Sequence, residues 1–490
     1  MAEVKILDAS IRDGNQSLWG ATGLSTRQIL EIAPVVNRVG FHALDFTSST
    51  AMGVAVRTFR EDPWARMRLA REALPDTPLQ VICTGLRFIS WESQHPEFMQ
   101  LAYDRLVANG ISRFVVLEPT HDMTLALKTA RMIRKAGATE IIGALTYTIS
   151  DIHTDAFYAG LAAEFAASPN IDRLYIKDPS GLLRLERARS LIPAIKARIG
   201  VLPLELHSHC TIGLAPLTCL AAADLGVEVL HVACGPLSNG ASLPDAQRVV
   251  ANLREMGHAV DVDDRALALV ADYFRRLARA ENLPAGVPQD YDASFLRHQI
   301  AGGIMTTTRR QLAELGLEHR FAEVMAEISR VRAELGHPIM VTPFPQIVAS
   351  QALYNIIGAE RYANVSDQTI RYVLGTFGRP TAPVDPNVKD RILSRPRAKE
   401  LMAEPGPLPP SELHKRFAPG LSDDEFLLRA TMPAEEVDAM RAAAAPRRRY
   451  NPDLRPVLKL LDGLNVRPGV TDLIVEKPGF RMELHKAPSA

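Results

Sequence analysis

The stretch from residue 173 to residue 209 opens with Arg173-Leu174-Tyr175-Ile176-Lys177 and closes with Leu204-Glu205-Leu206-His207-Ser208-His209. Two short aliphatic runs joined by an amphipathic one read as strand, helix, strand. Both strands end in side chains that can ligate or titrate. Working outward, the same alternation fills the chain from residue 4 to about residue 260. Further strand candidates are Val4–Ala9, Phe41–Phe46, Leu79–Thr84, Arg113–Leu117, Glu140–Thr146 and Val229–Ala233. Helical stretches such as Ser25–Arg38 and Thr154–Ala167 lie between them, with Ser25 and Thr154 placed to cap their first turns. Eight such units over about 250 residues predict a (β/α)8 TIM barrel, whose catalytic groups come from the C-terminal ends of the strands. A doubly wound open sheet would start on a Gly-rich first turn, and Ser10-Ile11-Arg12-Asp13-Gly14 is not one.

The 56 Lys plus Arg cancel the 56 Asp plus Glu, which removes the electrostatic case for a nucleic-acid partner. Cys83, Cys210, Cys219 and Cys234 are too sparse for a disulfide scaffold and form no CxxC pair, which points to a reducing compartment. No run reaches the roughly 18 apolar residues of a spanning helix. The opening Met1-Ala2-Glu3-Val4-Lys5 has no apolar signal-peptide core, so the expectation is a cytoplasmic protein.

Three regions are expected: a metal-binding barrel over 1–262, a helical cap over 263–400, and a linker with a small α+β module over 401–490. The cap rests on helical runs at Asp263–Glu281, Gln311–Leu335 and Ser350–Ile357. Proline-rich stretches Pro380–Pro386 and Pro405–Pro410 mark the linker region, since proline continues neither helix nor central strand. In the tail, Asp453–Leu464 reads as a helix and Asp472–Leu484 as two strands turning at Pro478-Gly479, preceded by a solvated basic run, Arg447-Arg448-Arg449.

Residues two apart on a strand share a face, so His207 and His209 can chelate one metal, or can simply be polar groups at a barrel mouth. In a closed barrel, strands six, seven, eight and one are contiguous, which brings Lys177 and Asp178 together with Arg12 and Asp13. A lysine beside a metal makes sense as its carbamate, an oxygen ligand; otherwise Lys177 pairs with Asp13 or Asp178.

These residues resemble the carboxyltransferase components of biotin-dependent enzymes: the oxaloacetate decarboxylase alpha subunit, the carboxyltransferase domain of pyruvate carboxylase and the large transcarboxylase subunit. The resemblance runs from about residue 4 to residue 440. It is carried by Asp8 with Arg12-Asp13-Gly14-Asn15-Gln16-Ser17, Glu61-Asp62-Pro63-Trp64, Lys177-Asp178-Pro179-Ser180-Gly181-Leu182, His207-Ser208-His209, Gln299-Ile300-Ala301-Gly302-Gly303, Val341-Thr342-Pro343 and Gly378-Arg379-Pro380. It implies that Asp13, carbamylated Lys177, His207 and His209 hold a divalent ion, zinc or manganese, with Arg12 and Gln16 beside it. The implied chemistry is carboxyl transfer between carboxybiotin and the enolate of a 2-oxo acid. Partners implied are a separate biotin carboxyl carrier protein and a biotin carboxylase subunit, because no Ala-Met-Lys-Met type attachment sequence occurs. A homodimer is the family expectation.

The sequence departs from that pattern in the substrate and biotin pocket. The family's substrate-binding arginine falls on Thr84, an upstream aspartate on Gly53, a Trp-Gly-Gly segment on Thr47-Ser48-Ser49, and the proton-relaying threonine on Ala241. A methyl group relays no proton. Arg87 is either a displaced cation or an ordinary loop charge. Glu118, at a family aspartate position, either orients substrate or makes a rim hydrogen bond. His231 replaces a family aspartate and Cys234 follows it; each is either an acid, base or nucleophile of the altered pocket or, on the bland reading, a satisfied core histidine and a small packing residue respectively. His121 reads as a surface histidine in a mouth loop. The expected function is a carboxyltransferase subunit acting on an acceptor other than pyruvate. The alternatives are a biotin-independent metal decarboxylase or carbon–carbon lyase/aldolase, and a non-catalytic scaffold.

Overall fold

The computed structural model describes residues 3–445, apart from Trp91, Ala301, Leu315 and Ala418, together with segments 472–477 and 480–485. The strands are β1 (Lys5–Asp8), β2 (Leu44–Ser48), β3 (Leu79–Thr84), β4 (Arg113–Leu117), β5 (Glu140–Thr146), β6 (Arg173–Asp178), β7 (Leu204–Ser208) and β8 (Val229–Val232). They form one closed parallel barrel in sequence order, with β8 pairing back onto β1. Parallel strands covered by helices are buried on both faces, which is why they read as nearly continuous aliphatic runs. Inside the barrel, Val115, Leu117, Ile142, Ala144 and Tyr175 pack into one apolar layer.

Ser25 and Gln28 make a reciprocal capping box at the start of helix Thr26–Val39, and Thr154 caps Asp155–Ala166. Helix Asp264–Glu281 starts as read, capped by Asp263, but it packs on the barrel rather than in the cap. Tyr273 donates to the Gln28 carbonyl at 2.8 Å, and Phe274 meets Trp19 edge-on at 6.5 Å. Its apolar stripe finds the outer helices before the chain leaves the barrel.

The cap has its own apolar core, built from Ile300, Val324, Ile328, Phe344, Tyr362 and Ile392 among others. The run expected over Gln311–Leu335 is two helices, Gly302–Glu314 and Phe321–Glu334, broken where Gly316 takes φ +69°. The run expected from Ser350 begins at Phe344. Of the two proline-rich stretches expected to mark the linker, Pro380–Pro386 joins the cap core through Val384, and Pro386 and Pro396, within the expected cap, each open a helix, where a missing N–H costs nothing. Beyond it, Phe426, Leu427 and Val437 return to the barrel's outer core, and the Trp64 indole donates to the Asp424 carbonyl at 3.0 Å.

The tail strands Asp472–Lys477 and Phe480–His485 pair antiparallel as read. The expected helix at Asp453–Leu464, the Arg447-Arg448-Arg449 run and the Pro478-Gly479 turn lie outside the described residues. Among the described residues, no helix is long and apolar enough to cross a membrane.

Candidate metal centre

Asp13 sits on a wide turn of π-helix, Ser10–Gly14, that leaves the C-terminal end of β1. Lys177 lies near the end of β6, in register with His207 on β7, and His209 follows one residue past that strand. Closure of β8 on β1 swings the Asp13 turn over β6 and β7. All four side chains are buried.

The atoms converge. His207 Nε2 lies 3.1 Å from Asp13 Oδ2 and 3.0 Å from His209 Nε2, and His209 Nε2 lies 3.5 Å from Asp13 Oδ1. One donor atom from each of Asp13, His207 and His209 falls within 4.8 Å of the others. Lys177 Nζ is 3.4 Å from Asp13 Oδ2 and 3.2 Å from His207 Nε2. Of the two alternative ion pairs of Lys177, the one with Asp13 is made and the one with Asp178 is not. Asp178 instead accepts from the Leu182 and Leu183 amides and from Ser208 Oγ, at 2.8, 2.9 and 2.7 Å.

The donor set fits a cation. His209 Nδ1 faces the Ala241 carbonyl at 2.6 Å, so the ring proton belongs on Nδ1. In the neutral ring, Nε2 then presents a lone pair toward a carboxylate and a second imidazole. Electron-pair donors crowded this closely repel unless a positive charge lies among them, either a metal ion or, in the ion-pair alternative, the Lys177 ammonium.

Burial would raise the Asp13 pKa, but the Arg12 guanidinium, 3.0 Å away, holds the carboxyl well below the usual range. Arg12 is itself fixed by Asp45, its Nε donating at 2.8 Å. Ser17 Oγ donates to Asp13 Oδ1 at 3.0 Å. Burial lowers the Lys177 pKa against the pull of Asp13, and burial together with Lys177 lowers that of His207.

Arg12, Asp13, Gln16, Thr84, Lys177 and His209 line one cleft of about 210 Å³, roofed by Met340, Val341, Thr342 and Pro345 of the cap. Arg87 lines it too. It is buried, donates to the Thr376 carbonyl at 2.9 Å, and lies over the Phe377 ring at 5.0 Å.

The cap is tied down nearby. The Gln299 side chain accepts from Thr148 Oγ1 at 2.8 Å, and Arg332 donates to the same hydroxyl at 2.8 Å.

Two further expected site residues are held by their neighbours at the mouth. Glu118 Oε1 accepts from the Thr120 amide and hydroxyl at 3.2 and 2.9 Å, while Oε2 is buried without a hydrogen-bond partner. Burial raises the Glu118 pKa from 4.5 to about 7. Ala241 presents its backbone carbonyl to His209 Nδ1.

His121 is buried among His153, Phe157 and Tyr158, not on the surface. Cys234 is a buried thiol that donates to Asp8, as a packing residue would.

Beneath the cluster is a polar network that the motifs missed. His231 Nδ1 lies 3.2 Å from His207 Nδ1, and His231 Nε2 lies 3.0 Å from Glu205 Oε2. Arg113 binds Glu205 and Gln80. Period-two reading could have found Glu205, because it shares the inward face of β7 with His207 and His209.

A closed barrel with a buried polar centre under its C-terminal mouth defines a (β/α)8-barrel enzyme. A conserved carboxylase domain family matches residues 295–447. A pyruvate carboxylase subunit of Methanocaldococcus jannaschii is 34% identical over 416 residues, covering 84% of this chain and 72% of that one. The 2-oxoglutarate carboxylase large subunit of Hydrogenobacter thermophilus is 29% identical over 481 residues, covering 96% of this chain and 72% of that one. The carboxyl transferase domain of Rhizobium etli pyruvate carboxylase shares the fold, with a TM-score of 0.82 at 22% identity over 100% of this chain and 85% of that one. The chain belongs to the carboxyltransferase family of biotin-dependent carboxylases.

Proposed function

We propose that Asp13, His207 and His209 hold a divalent cation, zinc or manganese, with Lys177 as a fourth ligand in its carbamate form. The chain then moves a carboxyl group between biotin on a separate carrier protein and an acceptor other than pyruvate. The observation that carries this reading is the convergence of a carboxylate and two imidazoles on one point at the barrel mouth. Burial favours the neutral Lys177 amine from which a carbamate forms. A divalent ion supplies a Lewis-acidic charge beside the oxygens of a developing enolate. Arg12 holds Asp13 in place and ionised, and Gln16 lines the cleft beside them.

The acceptor is read from what the cleft presents. Thr84 cannot clamp a carboxylate ionically, whereas Arg87, three residues on, puts a buried cation in the same cleft. An acceptor reaching from the Asp13 cluster to Arg87 carries an anionic group. The Hydrogenobacter relative is named for a carboxylase of 2-oxoglutarate, a diacid. A biotin carboxyl carrier protein and a biotin carboxylase subunit are the partners, and the setting is a cytoplasmic homodimer.

The test is to measure bound metal in the purified chain, probe co-purifying proteins by avidin blot, and assay 2-oxo acids, acyl thioesters and amides with carboxybiotin. Carboxyl transfer to one of these, together with a biotinylated partner, supports the proposal. Decarboxylation of a 2-oxo diacid by the metal-loaded chain alone replaces it with a biotin-independent lyase. Metal binding lost in Asp13→Ala, with no turnover by the wild type, would make the chain a scaffold.

A further inference from the structure

We propose that Glu205 and His231 are positioning residues for His207: together they place the His207 ring proton on Nδ1 and so aim the bare Nε2 at the cation site. The inference rests on the metal reading above and extends it to residues outside the ligand set.

The geometry leaves little choice. The contact between His207 Nδ1 and His231 Nδ1, at 3.2 Å, is a hydrogen bond only if one of the two nitrogens carries a proton and the other does not. At its other end, His231 Nε2 meets Glu205 Oε2 at 3.0 Å. An ionised carboxylate can only accept, so Nε2 of His231 is the donor there. In a neutral His231 ring, Nδ1 is then bare and accepts from Nδ1–H of His207. The His207 proton is thereby used, and its Nε2, 3.0 Å from His209 Nε2 and 3.1 Å from Asp13 Oδ2, is left as a lone pair.

The reverse polarity needs both His231 nitrogens protonated, which would put a further cation in the barrel interior. Glu205 does not invite it, because its charge is already met by Arg113, which in turn holds Gln80 at 2.8 Å. Glu205, His207 and His231 are all fully buried, so water does not substitute for any of these bonds.

The His231 ring is also held in plane. Tyr175 stacks on it at 4.9 Å with 16° between the planes. The chain Arg113, Glu205, His231, His207 is therefore a directed run of donors and acceptors from barrel interior to mouth. A carboxylate or carbonyl on the far nitrogen of a ligating histidine fixes its tautomer and raises its basicity. Here an imidazole is interposed and transmits the same constraint one ring further.

The experiment compares the full chain with His231→Leu and His231→Asn, using cobalt(II) as the probe. Affinity is read by competition with a chelator, the ligand field by visible absorption, and folding by the melting temperature of the metal-free proteins. His231→Leu removes the acceptor and is expected to weaken cobalt binding by ~10–100-fold. His231→Asn keeps a carbonyl acceptor near the Nδ1 position and is expected to recover most of that loss. Equal cobalt affinity in wild type and folded His231→Leu overturns the proposal.

Where the leucine variant does not fold, nitrogen-15 spectra of histidine-labelled, metal-free wild type decide the question. A proton on His207 Nδ1 is expected, and a proton on Nε2 overturns the inference. The spectra stand even if the wild type binds no cobalt, a result that would sink the metal reading instead.

Discussion

At the scale of single residues, the site is a balance of charge against burial. Asp13 stays ionised because the Arg12 guanidinium beside it outweighs its desolvation. Asp13→Asn removes the anionic donor, and metal content should fall by more than the ~10–100-fold that losing an outer partner costs, measured by elemental analysis after dialysis. Arg87→Met should raise KM for an anionic acceptor far more than it lowers kcat. A charge-assisted bond of about 1.5–3 kcal/mol corresponds to ~10–100-fold in kcat/KM. Equal kinetics in the two proteins would assign Arg87 to its Thr376 and Phe377 contacts alone.

Glu118 supplies a pH signature. Its folded pKa is about 7 against the ordinary 4.5, so the unfolded chain ionises first as pH rises. Below 4.5 both states are protonated and nothing is lost. Between 4.5 and about 7 the folded state is progressively penalised, by up to about 3 kcal/mol. Glu118→Gln should therefore melt above wild type at pH 8, with the difference shrinking as pH falls toward 4.5; a pH-independent difference would contradict the assignment. Asp13, Lys177, His207 and His209 were legible as neighbours because each is tied to a strand end. The contacts of Glu118 and Ala241 were not, since they depend on which atom faces inward.

At the scale of elements, the cap meets the barrel through backbone that admits no side chain. Gly378 takes φ +106°, and a Cβ there would press on Thr120 Oγ1 and reach within 3.0 Å of Glu118 Oε1. Gly378→Ala should cost about 1–3 kcal/mol and lower the melting temperature, since both the backbone and the Thr120 loop must shift. An unchanged melting curve would show that the loop yields freely. The Gly378-Arg379-Pro380 motif was legible as a family mark, but its reason was not, because the loop it touches lies more than two hundred residues away. The break at Gly316 and the helices opened by Pro386 and Pro396 show a related limit. Periodicity locates apolar faces well, while proline marks a boundary without saying which side of it is helical.

At the scale of the whole molecule, metal, fold and partner are linked. A resident ion that binds only the folded chain adds stability by mass action, about 2.7 kcal/mol at one hundred times its Kd. A chelator strong enough to strip it should lower the melting temperature, and zinc or manganese should restore it. A melting temperature indifferent to chelation would mean that the folded chain holds no ion.

Eight evenly spaced aliphatic runs determined the barrel without help from structure, because parallel strands buried on both faces have one compositional signature. The same reading put His207 and His209 on one face, since strand periodicity is local. Only the tertiary structure decided that Asp264–Glu281 and Asp423–Ala442 belong against the barrel, because an apolar helical stripe does not name the surface it will cover. Likewise, the directed chain from Arg113 through Glu205 and His231 to His207 joins β4, β7 and β8. No spacing along the sequence encodes a hydrogen bond that exists only once the barrel has closed.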